Sequence, residues 1–269
     1  ADDNPFNALA AGTLLPGATF EIYNRAGDLV NTVVTDKNGV AKSDTLPLGR
    51  YTIRETKAPM FYSAAAQPIE AEIEFSGQIV RIEVLNQSVY TNVSVNKRGY
   101  KQVTPSQTIR YDFKDIANNS TVPLNSFYWR DTLPTSAVRL TKIVTGTWNQ
   151  RLSYKVVYKT NLHDYRTLAD NLSTMKNYSL DASPAALGLA SNEYVTDFMF
   201  VFGTVKAGFA QVDAPYIFCW TNSWLNNSYQ FTNRTDVGGM HSGQWIMATD
   251  RWVTTVYKPG VTKLPKTGY

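Results

Sequence analysis

This 269-residue chain has a single cysteine, Cys219. One thiol cannot close an intrachain disulfide, so stability outside a reducing compartment must come from another device. Charge is sparse as well. Acidic and basic residues make up 18 % of the chain, the net charge is +4, and no run of five or six basic residues occurs. A nucleic-acid footprint is therefore excluded as the reading of its charge. No stretch reaches the roughly 18 apolar residues that cross a bilayer. The opening ADDNPFNALAAG lacks the basic and then apolar run of a signal peptide and reads as a mature or trimmed end. Histidine occurs only at His163 and His241, and no His/Cys/Asp spacing suggests zinc. Asp164, Asp170 and Asp181 lack the loop pattern and turn glycine of a calcium site. Nucleophile-elbow, zinc-protease and phosphate-loop motifs are missing too. No cofactor or metal is expected, nor an enzyme acting on outside substrates.

What is present is β-protein usage. Aromatics reach 13 %, with sixteen tyrosines and six tryptophans, among short alternating runs rich in Thr, Val and Tyr. GATFEIY (17–23) places Ala18, Phe20 and Ile22 on one face. LVNTVVTD, LPLGRYTIRET (46–56), IEAEIEF and IVRIEVLNQ (79–87) follow, separated by turns such as DKNG (36–39). A second series starts at TNVSVNK (91–97). It continues through QTIRYDF, NSFYWRDTL, VRLTKIVTGTW, LSYKVVYKT, EYVTDFMFVFGTV, APYIFCW, SYQFTNRTDV and DRWVTTVYK. Helix formers at 163–175 and 183–190 predict short helices on connections.

The segment LPGATFEIYNRAGDLV…TDKNGVAKSDTLPLGRYTIRETKAP resembles the B-type collagen-adhesin repeat (CnaB) of SpaA-like Gram-positive pilins, over about 16–87. VSVNKRGYKQVTPSQTIRYDF…VPLNSFYWRDTLP…QFTNRTDV is similar to the A-type (CnaA-like) companion domain. The closing KLPKTGY (263–269) resembles a sortase signal carried by Leu264, Pro265, Lys266, Thr267 and Gly268. The fold expected is all-β, with two antiparallel Ig-like β-sandwich domains: CnaB-like over 1–89, and a larger CnaA-like domain over 90–258. A sortase-signal tail over 259–269 completes the chain. Sortase substrates are cut between the residues matching Thr267 and Gly268. Gly268 and Tyr269 are still present, so the expectation is an uncut chain trimmed just past the signal.

The resemblance implies one reaction, in which a strand lysine attacks an asparagine amide, expels ammonia and leaves an isopeptide bond. The chemistry requires an apolar core, where burial lowers the lysine pKa and raises that of a neighbouring acid that shuttles protons. Alternation places Val93, Val95 and Lys97 on one strand face, Phe127, Trp129 and Asp131 on another, and Tyr229, Phe231 and Asn233 on a third. Lys97 is the expected nucleophile, Asn233 the electrophile and Asp131 the shuttle. Asp115, in phase with Ile109, Tyr111 and Phe113, competes as the acid. Without the resemblance, the same residues also read as a lysine reaching from a strand end, an Asn capping a turn and an Asp opening one. In the first domain Glu55 and Asn86 match the family's acid and amide. The first lysine in the chain is Lys37, in a turn. That domain is expected to lack the bond or to take its lysine from outside the chain, leaving Glu55 and Asn86 to hydrogen-bond each other.

Two further readings stand beside these. Cys219 in YIFCW, with Gln244 as partner, matches the look of an adhesin thioester; the alternative is a small buried hydrophobe on an aromatic strand. Lys258 and Lys263 are candidates, by position, for accepting another subunit. The reading is an extracellular, cell-wall-anchored structural subunit. Its implied partners are sortase and either peptidoglycan or other pilin subunits. A host-binding adhesin, for a matrix protein or a glycan, is the alternative.

Overall fold

The computed structural model describes residues 1–2 and 9–259. The expected sorting signal at 264–268, and Lys263, lie outside the described residues. Two compact units divide after Tyr90. No helix among the described residues is long and apolar enough to cross a membrane.

The first unit contains β1 (Thr19–Asn24), β2 (Leu29–Val34), β3 (Gly49–Lys57), β4 (Tyr62–Ser63), β5 (Ile69–Ile73) and β6 (Gln87–Ser88). An antiparallel sheet runs in the order β2-β1-β3-β5, and β4 pairs with β6. Ala18, Phe20 and Ile22 turn inward as alternation predicts and are buried with Tyr51 and Tyr62. The turn at 36–39 is held by Asp36 Oδ1, which accepts the N–H groups of Asn38 (2.8 Å) and Val40 (3.0 Å). Gly39 is required there. Its φ is +72°, and a Cβ would lie 2.6 Å from Leu14 and Leu15.

One expected strand is not formed. Residues 79–86 carry no strand, and Ile79 and Leu85 are 81 % and 70 % exposed. Alternation sets which face a side chain takes, but a ladder also needs a neighbour for its N–H and C=O groups. Among the described residues, the edge strand β5 pairs with β3 alone.

Among its described residues the second unit is a sandwich of twelve strands. These are β7 (Val93–Gly99), β8 (Gln102–Val103), β9 (Thr108–Asn118), β10 (Leu124–Thr132), β11 (Val138–Val144), β12 (Ser153–Thr160), β13 (Arg166–Ser173), β14 (Ser179–Asp181), β15 (Val195–Val205), β16 (Tyr216–Thr221), β17 (Gln230–His241) and β18 (Gln244–Val256). One sheet has the order β13-β12-β15-β10-β17-β18-β8 and the other β14-β11-β16-β9-β7. Pairing is antiparallel except between β18 and β8. Trp129, Trp148, Phe113, Phe127, Phe198 and Phe200 are fully buried between the sheets. Each contributes about 2–3 kcal/mol on burial.

The expected short helices are absent. Residues 166–173 form β13, antiparallel to β12. Pairing against a long strand overrides the helix propensity of Leu and Ala there. Residues 183–190 form turns in which Leu187 N–H reaches Ser183 O at 3.0 Å. Gly188, with φ +62°, ends the turns before a helix can propagate.

Candidate functional site

Three strands deliver three polar side chains to the core of the second unit. On β7 the inward residues are Val93, Val95 and Lys97. On β10 they include Phe127, Trp129 and Asp131, and on β17 Phe231, Asn233 and Thr235. Lys97 pairs with Phe113 at the edge of the five-stranded sheet. Asp131 and Asn233 lie on neighbouring strands of the seven-stranded sheet, Asp131 opposite Thr235. β7 packs against β17 and β18, so Lys97 meets the other two from across the sandwich.

The Lys97 amine touches Asp131 Oδ1, and both side chains are 0 % exposed. The amine lies 4.0 Å from the Phe113 ring centroid and 5.0 Å from that of Tyr111. Phe113 meets Trp129 edge to face at 4.6 Å. The Trp129 indole N–H donates to Thr235 Oγ1 at 2.8 Å, which fixes this wall. Asp131 Oδ2 and both amide atoms of Asn233 are buried without a well-formed hydrogen bond, although Asn233 stands close enough to Asp131 to favour its charged form weakly.

Burial lowers the Lys97 pKa, against the opposing pull of Asp131, Cys219 and Asp250. Burial likewise raises that of Asp131, against the pull of Lys97 and Asn233. For both groups desolvation outweighs attraction, so burial pushes each toward its neutral form. A neutral amine is a nucleophile, and a carboxylic acid can donate to an amide oxygen. An amide with no well-formed bond, such as that of Asn233, is a group such an amine can attack.

The other candidates are placed differently. Asp115 is exposed and accepts from Asn96 Nδ2 at 2.6 Å, so it does not face the Lys97 amine. The register of β7 and β9 shifts between Ser94 and Asn96, and Asp115 takes φ +56°. This bulge breaks the alternation that put Asp115 in phase with Phe113. In the first unit, Asn86 Nδ2 donates to both Glu55 oxygens at 2.8 Å and to Ser63 O at 3.0 Å. Ala65 N–H also donates to Glu55, at 2.7 Å. No lysine forms an ion pair with Glu55 among the described residues.

Cys219 and Gln244 are not brought together. Cys219 is fully buried mid-strand on β16, between Ile109 and Leu140, and burial pushes its thiol pKa up. Gln244 is exposed at the hairpin end of β18, opposite His241. Lys258 is exposed, its N–H bonded to Asn227 at 2.9 Å. Asp164 pairs with Lys159 at 3.4 Å, Asp170 accepts Asn171 N–H at 2.7 Å, and Asp181 accepts Ser183 N–H at 2.9 Å. No group of three potential metal ligands gathers among the described residues. His163 instead joins Thr160 and Arg166 around the buried Glu193.

One residue of this neighbourhood was not singled out from sequence. Asp250 on β18 accepts the backbone N–H of Lys97 at 2.7 Å. The available signal was a carboxylate within the inward series Ile246, Ala248, Asp250, Trp252.

Comparison with known proteins places the first unit. Residues 10–88 match the family model described as SpaA, prealbumin-like fold domain. The trypsin-resistant surface T6 protein of Streptococcus pyogenes serotype M6 is 33 % identical over 85 residues, which are 32 % of this chain and 16 % of that protein. Among solved structures, the chain is similar to BcpA, the major pilin subunit of Bacillus cereus. The identity is 16 %, the TM-score is 0.32, and the match covers 91 % of this chain and 66 % of that one. It is also similar to the major pilin SpaD of Corynebacterium diphtheriae, at 18 % identity and TM-score 0.30, covering 90 % and 62 %. The chain thus spans less than two thirds of each of these relatives.

Proposed function

We propose that this chain is a structural subunit of a Gram-positive cell surface, pilin-like, whose second domain locks itself with a Lys97–Asn233 isopeptide bond. The observation that carries the reading is the solvent-free contact of Lys97 with Asp131, beside a buried amide that has no well-formed bond of its own. The neutral amine of Lys97 attacks Cγ of Asn233. Asp131 donates its proton to the amide oxygen, and the new C–N bond forms. Asp131 then relays a proton from Nζ to Nδ2, the Cγ–Nδ2 bond breaks and ammonia leaves, and the proton on the oxygen returns to Asp131 as the carbonyl re-forms. The protein turns over no outside substrate.

The domain scheme adopted is 1–89, 90–258 and a tail over 259–269. The tail's Leu-Pro-Lys-Thr-Gly is read as the sortase address, with peptidoglycan or another subunit as acceptor. The match of the first unit to a SpaA-type domain, and the likeness to a streptococcal surface protein, support surface placement.

Intact mass tests the bond. The expected result is a deficit of one ammonia against the sequence mass, absent in Lys97→Met and in Asn233→Ala. A wild-type chain at full sequence mass overturns it. Incubation with sortase and a glycine nucleophile tests the address, with release of the Gly268–Tyr269 dipeptide expected.

A host-binding role is the second reading, favoured by Trp220 and Trp224. These are 45 % and 64 % exposed, and Arg139 lies 5.9 Å from the Trp224 ring centroid. Binding to a glycan or matrix-protein array, lost in Trp224→Ala, is its test.

A further inference from the structure

The inward side chains of β18 run Ile246, Ala248, Asp250, Trp252, Thr254, Val256. Asp250 therefore occupies a position whose neighbours along the strand are largely apolar. It pairs with Thr235 on β17, which pairs with Asp131 on β10, so the three share one row across the sheet. Its Oδ1 accepts the N–H of Arg251 at 2.8 Å, and its Oδ2 accepts the N–H of Lys97 at 2.7 Å.

The second bond is unusual in what it joins. Lys97 belongs to the other sheet, where β7 is an edge strand laddered, among the described residues, to β9 alone. On an antiparallel edge strand, alternate N–H groups point away from the ladder and must find other partners. The N–H of Lys97 finds a side chain from the facing sheet. β18 is nearly an edge itself, pairing with β8 only at Thr255 and Val256. Two further side-chain bonds cross the same seam. Trp252 Nε1 donates to Tyr100 O at 3.1 Å, and Thr254 Oγ1 donates to it at 2.9 Å. Of the three, only the Asp250 bond falls on the residue whose side chain enters the site.

We propose that Asp250 is a positioning residue for the crosslink: its carboxylate seats the backbone of Lys97 against the seven-stranded sheet, so the amine enters between Asp131 and Asn233 before any covalent bond exists. This rests on the Lys97–Asn233 reading. The role concerns placement and needs an acceptor, not a charge. An amide oxygen at the same position accepts the same N–H, whereas an aliphatic side chain leaves the N–H unpaired and β7 free to shift. Reaction between neighbouring groups is sensitive to such shifts.

The test follows ammonia loss by intact mass during a chase after cell-free synthesis of the full chain. Wild type, Asp250→Asn, Asp250→Val and Asp250→Ala are compared. Thr249→Val serves as control. It removes a 2.9 Å bond to Thr235 O within the β17–β18 hairpin and leaves Lys97 untouched. Valine keeps the strand propensity at 250, so one acceptor-free variant remains folded if the alanine variant does not. The expected result is crosslinking slowed roughly tenfold in Asp250→Val and Asp250→Ala, the scale of one lost hydrogen bond. Thr249→Val is expected to react within about twofold of wild type, and Asp250→Asn no more slowly than that, since it also removes a charge that favours the protonated amine. Wild-type rates in the acceptor-free variants overturn the inference. So does an Asp250→Asn rate as low as that of Asp250→Val, or an equal slowing in Thr249→Val, which would mark general loosening of the hairpin. A wild-type chain that never loses ammonia overturns the crosslink reading itself, an outcome visible in the wild-type arm alone.

Discussion

Each unit of this chain buries an asparagine against a carboxylate, and the two pairs live in different surroundings. Asn86 in the first unit gives its amide hydrogens to Glu55 and to Ser63 O, and Glu55 also accepts a backbone N–H. The amide nitrogen and both carboxylate oxygens there have ordinary partners. Asn233 in the second unit has no well-formed bond, and Asp131 faces a lysine amine walled in by aromatic rings. The Glu55 carboxylate is occupied by ordinary donors on both oxygens. A carboxylate enclosed with an amine, away from water, is pushed toward the neutral pair from which amide chemistry starts. The pairing of asparagine with carboxylate does not distinguish the two sites; the enclosed lysine does.

That contrast can be broken most forcefully at Lys97. Lys97→Met is expected to restore the full sequence mass for its composition and to lower stability by about 5 kcal/mol, from the lost closure of the chain over 97–233. A urea midpoint unchanged from wild type would refute the covalent half of the comparison. Enclosure itself is tested next. Phe113→Ala removes the ring 4.0 Å from the amine and is expected to cost about 3–5 kcal/mol through the cavity left behind. It should also slow ammonia loss, as water restores the charged forms; mass and denaturant melts read the two effects separately.

In the first unit, Asn86→Ala strands Glu55 with fewer donors and should cost about 1–3 kcal/mol. No ammonia deficit should depend on Asn86, and one that vanished with this variant would erase the distinction between the units. The smallest expected effect concerns a carboxylate kept charged inside the second unit. Glu193 is buried, yet Thr160, and after it His163, the Ala190 backbone and Arg166, hold its pKa down to about 2 against the effect of burial. Its folded value lies below its unfolded one. The stability it adds is therefore complete above about pH 4.5 and is lost as pH falls toward 2. The gap between wild type and Glu193→Gln should narrow over that window in acid melts.

Much of this was legible because a strand repeats every two residues. Val95 and Lys97, Trp129 and Asp131, and Phe231 and Asn233 follow that repeat, and the structure buries all six. Legibility ended wherever a non-local event intervened. A bulge with a left-handed Asp115 reversed the phase of β9. Residues 79–86 alternate well and still form no strand, because pairing belongs to the neighbour and not to the segment. The helix formers of 166–173 became a strand once β12 was available beside them. Asp250 was passed over because its acceptor role appears only when a strand from the other sheet arrives with an unpaired N–H.

Cys219 adds a built-in reporter. It is the chain's one thiol and is fully buried on β16, near enough to Lys97 and Asp131 for their charges to act on it. A maleimide can reach it only when the sandwich opens. The labelling rate is then a clock for that opening, read at one sulfur, with no engineered probe and no background from a second thiol. A ring closed through Lys97 and Asn233 should slow the clock, and a chain with Lys97→Met should run it fast.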